Sequence, residues 1–261
     1  MTYDMRIVPS VKERLEFLDA IKLPATGANS QPVERAASVQ AFLTDDRAAG
    51  AVLLGGTLLS YMEGLTRAEK KEIKNSVRIA QLMSDSYKDE RRDLASWVDL
   101  YCKALNHVGW YTDRQPGEKR YTDFSSNISQ KMLDTVAVLG GEPMLDNSLA
   151  AFTALKKNRS GLLEYAKASL WGKAFQTIPA GRDSQGRITL VFNHARLEAQ
   201  QDVDDFLFFQ WRAGSAVLRH NYLSFNLDRD AYAKTREKIE GILDDDDMNE
   251  IDLRLELLSR P

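Results

Sequence analysis

Cysteine occurs once in the 261 residues, at Cys102. An intrachain disulfide is therefore impossible, and so is a thiolate metal cluster within one chain. Histidine is nearly as scarce: His107, His194 and His220 are joined by no HExxH, CxxC or two-histidine-one-carboxylate spacing. A mononuclear zinc or iron site has no support in that pattern. A surplus of positive charge is missing too, since 35 Lys and Arg face 38 Asp and Glu for a net charge of -3. Nothing in that balance draws the whole chain to nucleic acid or anionic lipid, so no nucleic-acid partner is expected. The start, MTYDMRIVPSVKERLEF, is charged and lacks the apolar stretch of a secretory signal, which predicts a soluble protein, cytoplasmic as synthesised. Export by a route that reads no N-terminal signal stays open.

Phosphate-cradling loops are also absent. Gly55-Gly56, Gly140-Gly141 and GRDSQGR (181–187) match neither GxGxxG nor GxxxxGK[ST], and there is no GxSxG elbow or kinase signature. They read as close packing, a helix stop and a turn, and no cofactor is expected. Cys102 lies one position off an apolar helical stripe with no base placed beside it, as suits a small buried hydrophobe. Asp244 to Asp247 lack the glycine of a calcium loop and read as a solvated acidic connection.

Long apolar runs are missing with one exception, AAGAVLLGGTLLSYM at 48–62. As a helix it would cover about 22 Å, short of the roughly 30 Å of bilayer hydrocarbon. Each glycine of the pair Gly55-Gly56 weakens an isolated helix by about 1 kcal/mol but admits a neighbouring backbone. The run reads as a buried central helix.

Helical periodicity fills much of the chain before residue 171. Val11 to Ile21 carries a short apolar stripe ended by Pro24, and a second helix is expected from Val33 towards Thr44. Thr66 with Glu69 forms a capping box that starts a helix to about Ser86, with Ile73, Val77 and Ala80 inward. Leu94, Trp97, Val98, Tyr101, Leu105 and Val108 make the clearest stripe, stopped by Gly109. Residues 111–127 read as a polar loop, Ile128 to Leu139 as a helix closed by Gly140-Gly141, and 144–157 and 160–170 as two more helices.

From Lys173 the pattern becomes β. KAFQTIPA and RITLVFNHARLEA flank GRDSQG as a hairpin, and DDFLFFQWRA with SAVLRHNYLSFNL reads as another. Phe206, Phe208, Phe209 and Trp211 occupy both faces of that strand, so it is expected to be central. With so few cations nearby, these aromatics read as core rather than as a platform for nucleotide bases. Asp228 caps a late helix to about Leu243, and IDLRLELL (251–258) alternates as a half-buried strand. The expected fold is α+β, a helical N-terminal two thirds (1–171) packed on a C-terminal antiparallel sheet (172–261) with one late helix, together one compact domain.

The segments NSVRIAQLMSDSYKD (75–89), WVDLYCKALNHVGW (97–110) and FLFFQW (206–211) resemble a pattern in a loosely defined set of uncharacterised bacterial and fungal proteins. The resembling part lies within residues 60–240. It implies a shared helical-plus-sheet fold and transfers no function.

Three functional readings follow. In the first, the protein is a non-enzymatic, toxin-like effector that touches a membrane surface or a protein partner. Its contact residues would be Val52, Leu53, Leu54, Leu58 and Leu59 of the apolar run, with Arg67, Lys71, Lys74 and Arg78, a basic stripe diluted by Glu69 and Glu72. In the second, an enzyme pocket between helices and sheet uses His194 or His220 with a nearby carboxylate. In the third, the IDLRLELL edge pairs with another copy to form a homo-oligomer.

Overall fold

Gly50 to Tyr61 forms a β-hairpin. Strand β1 (Gly50–Leu54) pairs antiparallel with β2 (Thr57–Tyr61), Leu54 opposite Thr57, so Gly55-Gly56 is a two-residue loop. Gly55 has φ 54, the left-handed region that tight hairpin loops require and that glycine enters at no steric cost. The central helix expected at 48–62 is corrected to this pair of strands. Every residue of both strands is buried, and a strand covered on two sides shows no alternation. An apolar run of this length then carries the same signal for helix and strand.

The computed structural model describes residues 6–21, 47–90, 92–122, 127–172, 174–198, 217–244, 250–253 and 255. The helix expected at 33–44, the strand at 204–213 with its phenylalanines, and most of the 244–247 acidic run lie outside the described residues. Among the described residues the other elements are α1 (Val11–Asp19), α2 (Arg67–Tyr87), α3 (Leu94–His107), β3 (Trp110–Tyr111), β4 (Gly117–Tyr121), α4 (Ile128–Lys157), α5 (Arg159–Gly172), β5 (Ala174–Arg182), β6 (Ile188–Glu198), β7 (Val217–Leu227), α6 (Arg229–Ala233), α7 (Arg236–Asp244) and β8 (Glu250–Leu253).

These strands form one mixed sheet in the order β3-β7-β6-β5-β2-β1-β8, with β4 also pairing β7. β2 runs parallel to β5, Thr57 beside Gln176 and Tyr61 beside Ala180, while β5–β6, β1–β2 and β1–β8 are antiparallel. This overturns the expected fold class. Four strands fall within the first two thirds of the chain, helices are interspersed with strands throughout, and the sheet is mixed rather than antiparallel. The reason is long-range: a parallel pair needs a long crossover, and between β2 and β5 lie α2 to α5. Gly117–Tyr121, expected as loop, pairs with β7 as Gly117 opposite Tyr222 and Tyr121 opposite Leu218. Its mostly exposed sequence GEKRY has no apolar alternation to betray a strand.

Locally encoded features hold. The Thr66–Glu69 capping box opens α2, and Ile73, Val77 and Ala80 are fully buried. Ser10 and Glu13 make a second box at α1. Gly109, at φ 113, ends the α3 region, and a Cβ there would come within 2.9 Å of the Tyr232 backbone nitrogen. α4 is broken at Gly141 (φ 76, ψ 179), where the double glycine predicted a stop. GRDSQG turns the β5–β6 hairpin, with the Asp183 carboxylate accepting from the backbone N–H groups of Gln185 and Arg187. The expected late helix comes as two, α6 and α7, and Asp228 caps the first by accepting from Ala231 N–H at 3.0 Å.

Packing divides the described elements into two units. One contains α1, α2, α3, β3, the end of β7, α6 and α7; the other contains β1, β2, β4, α4, α5, β5, β6, the rest of β7 and β8. In the second unit one face of the sheet packs against α4 and α5, with Ala51, Leu53, Leu58, Phe175, Ala195 and Leu218 meeting Ile128, Met132, Phe152 and Leu155.

Candidate functional site

Strand alternation fixes which polar groups share a face of the sheet. Thr177 and Asn193 are register partners on β5 and β6, and Asn193 faces α4, where its Nδ2 donates to the Met132 carbonyl at 2.8 Å. His220 of the neighbouring β7 reaches the same group, with Nε2 2.5 Å from Asn193 Oδ1. Thr177, Asn193 and His220 are 3%, 0% and 0% exposed. Among the described residues the Thr177 hydroxyl and His220 Nδ1 have no hydrogen-bond partner. Burial, aided by the positive fields of His194 and Lys119, pushes the His220 pKa down to about 4. The ring is therefore neutral near pH 7.

His194 belongs to the opposite face. Its register partner is Gln176, whose side-chain carbonyl accepts from the Thr57 hydroxyl, and its ring stacks on that of Phe192. β6 and β7 are neighbours, and the two imidazoles lie on opposite faces of the sheet. The carboxylate that acts on His220 is Asp134 of α4, itself exposed and 3.7 Å from Lys131 Nζ. Cys102 is buried and its thiol is pushed well up, by burial first and by Asp99 second, so it stays protonated and unreactive. Among the described residues no group of His, Cys, Asp and Glu is arranged to hold a metal ion.

The expected contact residues fall into two sets. Leu53 and Leu58 sit in the core beneath α4 and α5, and Val52, Leu54 and Leu59 point to the other face of the sheet, each at most 2% exposed. The basic residues lie on α2 in the other unit. Arg67 and Lys71 are exposed and Lys74 and Arg78 half-buried; Lys71 Nζ lies 2.7 Å from Glu240, and Arg78 meets Gln81 at 3.5 Å.

A cluster that sequence reading did not assemble stands in that unit. Glu72, 4% exposed, accepts from Arg229 Nε and Nη2 at 3.1 and 3.2 Å and from Arg236 Nη2, while Arg229 Nη1 also reaches Glu69 at 3.4 Å. The Arg236 guanidinium lies over the Tyr232 ring. The Glu72 hydrogen bond raises the Arg229 pKa further, so its charge is permanent. Glu69 is legible only as a cap, and nothing local ties α2 to arginines some 160 positions on.

No family model and no curated protein matches the chain. Among solved structures it is similar to the Evf virulence factor, at 13% identity and a TM-score of 0.37, over 75% of this chain and 86% of that one. A likeness at that level assigns no family and carries no functional argument. Among the described residues no helix is long and apolar enough to cross a membrane.

Proposed function

We propose that the protein is an effector-type protein that acts without catalysis, by laying the basic row of α2 on an anionic membrane surface. The observation behind this reading is the shape of α2. Its first four turns are enclosed except along Arg67, Ala68, Lys71, Lys74 and Arg78, so the seam that reaches water is a basic row at i, i+4, i+7 and i+11. Each Lys or Arg beside anionic lipid contributes about 1 kcal/mol, less for Lys71, which is shared with Glu240 at 2.7 Å. The apolar hairpin plays a different part. Moving Val52, Leu53, Leu54, Leu58 and Leu59 out of the core forfeits roughly 1.5–3 kcal/mol each, a sum on the order of a whole domain's stability. Docking therefore uses the folded protein, and the hairpin joins only where conditions loosen its unit.

Flotation with phosphatidylserine-containing vesicles tests this. The protein is expected to float with them at low salt, to stay down with neutral phosphatidylcholine vesicles, and to lose flotation in the double variant K71E/K74E. Wild type remaining in the aqueous fraction with anionic vesicles at both pH 7 and pH 5 would remove the membrane reading and leave an acidic protein partner in its place.

The end strand β8 supports a second reading. It closes the strand order and, among the described residues, pairs only with β1, so its outer edge is a template for another copy. Homo-oligomers are expected on this reading, and a strict monomer at micromolar concentration by light scattering would sink it.

A further inference from the structure

Asn193 decides the state of His220. Its amide N–H₂ is spent on the Met132 carbonyl, so the oxygen that faces His220 can be met only by a ring carrying hydrogen at Nε2. Nδ1 is then the bare nitrogen, and among the described residues it is buried without a partner. A lone pair left unmet there is tolerable; an N–H and a charge are not. We propose that His220 is an acid-sensitive latch that holds the first half of α4 on the sheet, and that its protonation releases that helix and uncovers Leu53 and Leu58 of the apolar hairpin.

The position of the latch gives it leverage. Its chain of contacts runs from β7 through β6 to the backbone of α4 at Met132, and Met132 is itself a core residue packed with Ile128, Leu133, Leu53 and Leu58. The charged groups around the ring do not rescue the cation. Lys119, its register partner on β4, and His194 on β6 oppose a positive charge. Asp134 on α4 favours one, but it is exposed, lies 3.7 Å from Lys131 and accepts from Gln130 Nε2 at 2.9 Å. On β7 itself, Arg219 is bound to Glu198 and Glu118, and Tyr222 presents a ring 5.4 Å away that also lies under Lys119.

The sign follows from linkage. The buried ring titrates near 4 and an unfolded or released histidine near 6.5, so the released state takes up the proton first. The closed state is fully favoured above about pH 6.5, loses ground as pH falls, and reaches its full loss, roughly 300-fold in the closed-to-open ratio, below about pH 4. The latch does not depend on the anionic-surface reading, though it would supply that reading with its trigger.

Amide hydrogen exchange by mass spectrometry, corrected for intrinsic rates and compared at pH 7 and pH 4.5, tests the latch on the full chain. Residues 128–140 and 190–197 are expected to lose protection by on the order of 100-fold in the wild type. H220Q keeps an N–H for Asn193 and cannot be protonated, so its protection is expected to stay within a few-fold. The proposal is overturned if H220Q loses protection as the wild type does, or if wild-type α4 keeps its protection at pH 4.5. Should H220Q not fold, NMR titration of the wild-type histidine ring protons decides instead. A His220 midpoint near 4 that coincides with loss of α4 protection supports the latch; a midpoint above 6, or α4 protection unchanged through the titration, refutes it.

Discussion

The two units bury polarity in opposite ways. In the unit that holds α2, Arg14, Glu69, Lys70 and Glu72 are charged and 3–4% exposed. Arg14 donates to the Pro9 and His107 carbonyls, and both glutamates meet Arg229, whose side chain is half exposed. In the sheet-bearing unit the fully buried polar residues among those described include Thr57, Gln176, Thr177, Asn193, His194 and His220, with no Asp, Glu, Lys or Arg among them. The difference follows from access to water. Long side chains on packed helices can hold a buried carboxylate with one end and stay hydrated at the other, whereas a strand covered on both faces offers no such route. The unit that holds α2 should therefore be the more sensitive of the two to salt.

Leu58→Ala should have the largest effect. Leu58 is 2% exposed in the core under α4, and truncation should cost about 2–5 kcal/mol in urea unfolding of the sheet-bearing unit. A loss below 1 kcal/mol would mean that this core can close over the gap. Next comes Glu72→Gln, which leaves Arg229 and Arg236 facing a neutral amide. Because both arginines are about half exposed, the cost should be about 2 kcal/mol rather than that of a fully buried pair, and it should shrink in 1 M salt. An effect equal at low and high salt would contradict the contrast between the units.

His107 offers a smaller test within the charged unit. Burial pushes its pKa down to about 4, against the backbone bond in which Nδ1–H donates to the Lys103 carbonyl and the ring stacks on Phe17. The unfolded state again binds the proton first, so stability is whole above about pH 6.5 and falls towards pH 4. His107→Gln should remove on the order of 1–2 kcal/mol of that acid loss, seen as a flatter unfolding midpoint between pH 7 and pH 4. Gly55→Ala should have the smallest effect. Nothing lies within 4 Å of the added Cβ, so only the left-handed backbone resists, at about 1 kcal/mol in thermal unfolding.

Sequence legibility followed the range of the interaction. The capping box at Thr66, the stop at Gly109, the break at Gly141 and the Asp183 turn involve neighbours a few residues apart, and each was readable. The hairpin at 50–61 was not, because burial on both faces erased the period that separates strand from helix. For the candidate site, the sequence singled out His220 but offered no partner. Asn193 lies 27 positions away and Met132 a further 61, and only the β6–β7 pairing and the packing of α4 bring the three together.

By itself the sequence determined the helices with clean stripes, their caps, the β5–β6 hairpin, the lack of disulfide and metal-ligand spacings, and the basic row of α2. Tertiary structure decided the rest. It inserted the apolar hairpin between β5 and β8, set β2 parallel to β5, put His194 and His220 on opposite faces, and drew Arg229 and Arg236 onto Glu72. Local patterns record which side of an element is covered, and they hold no record of which distant element covers it.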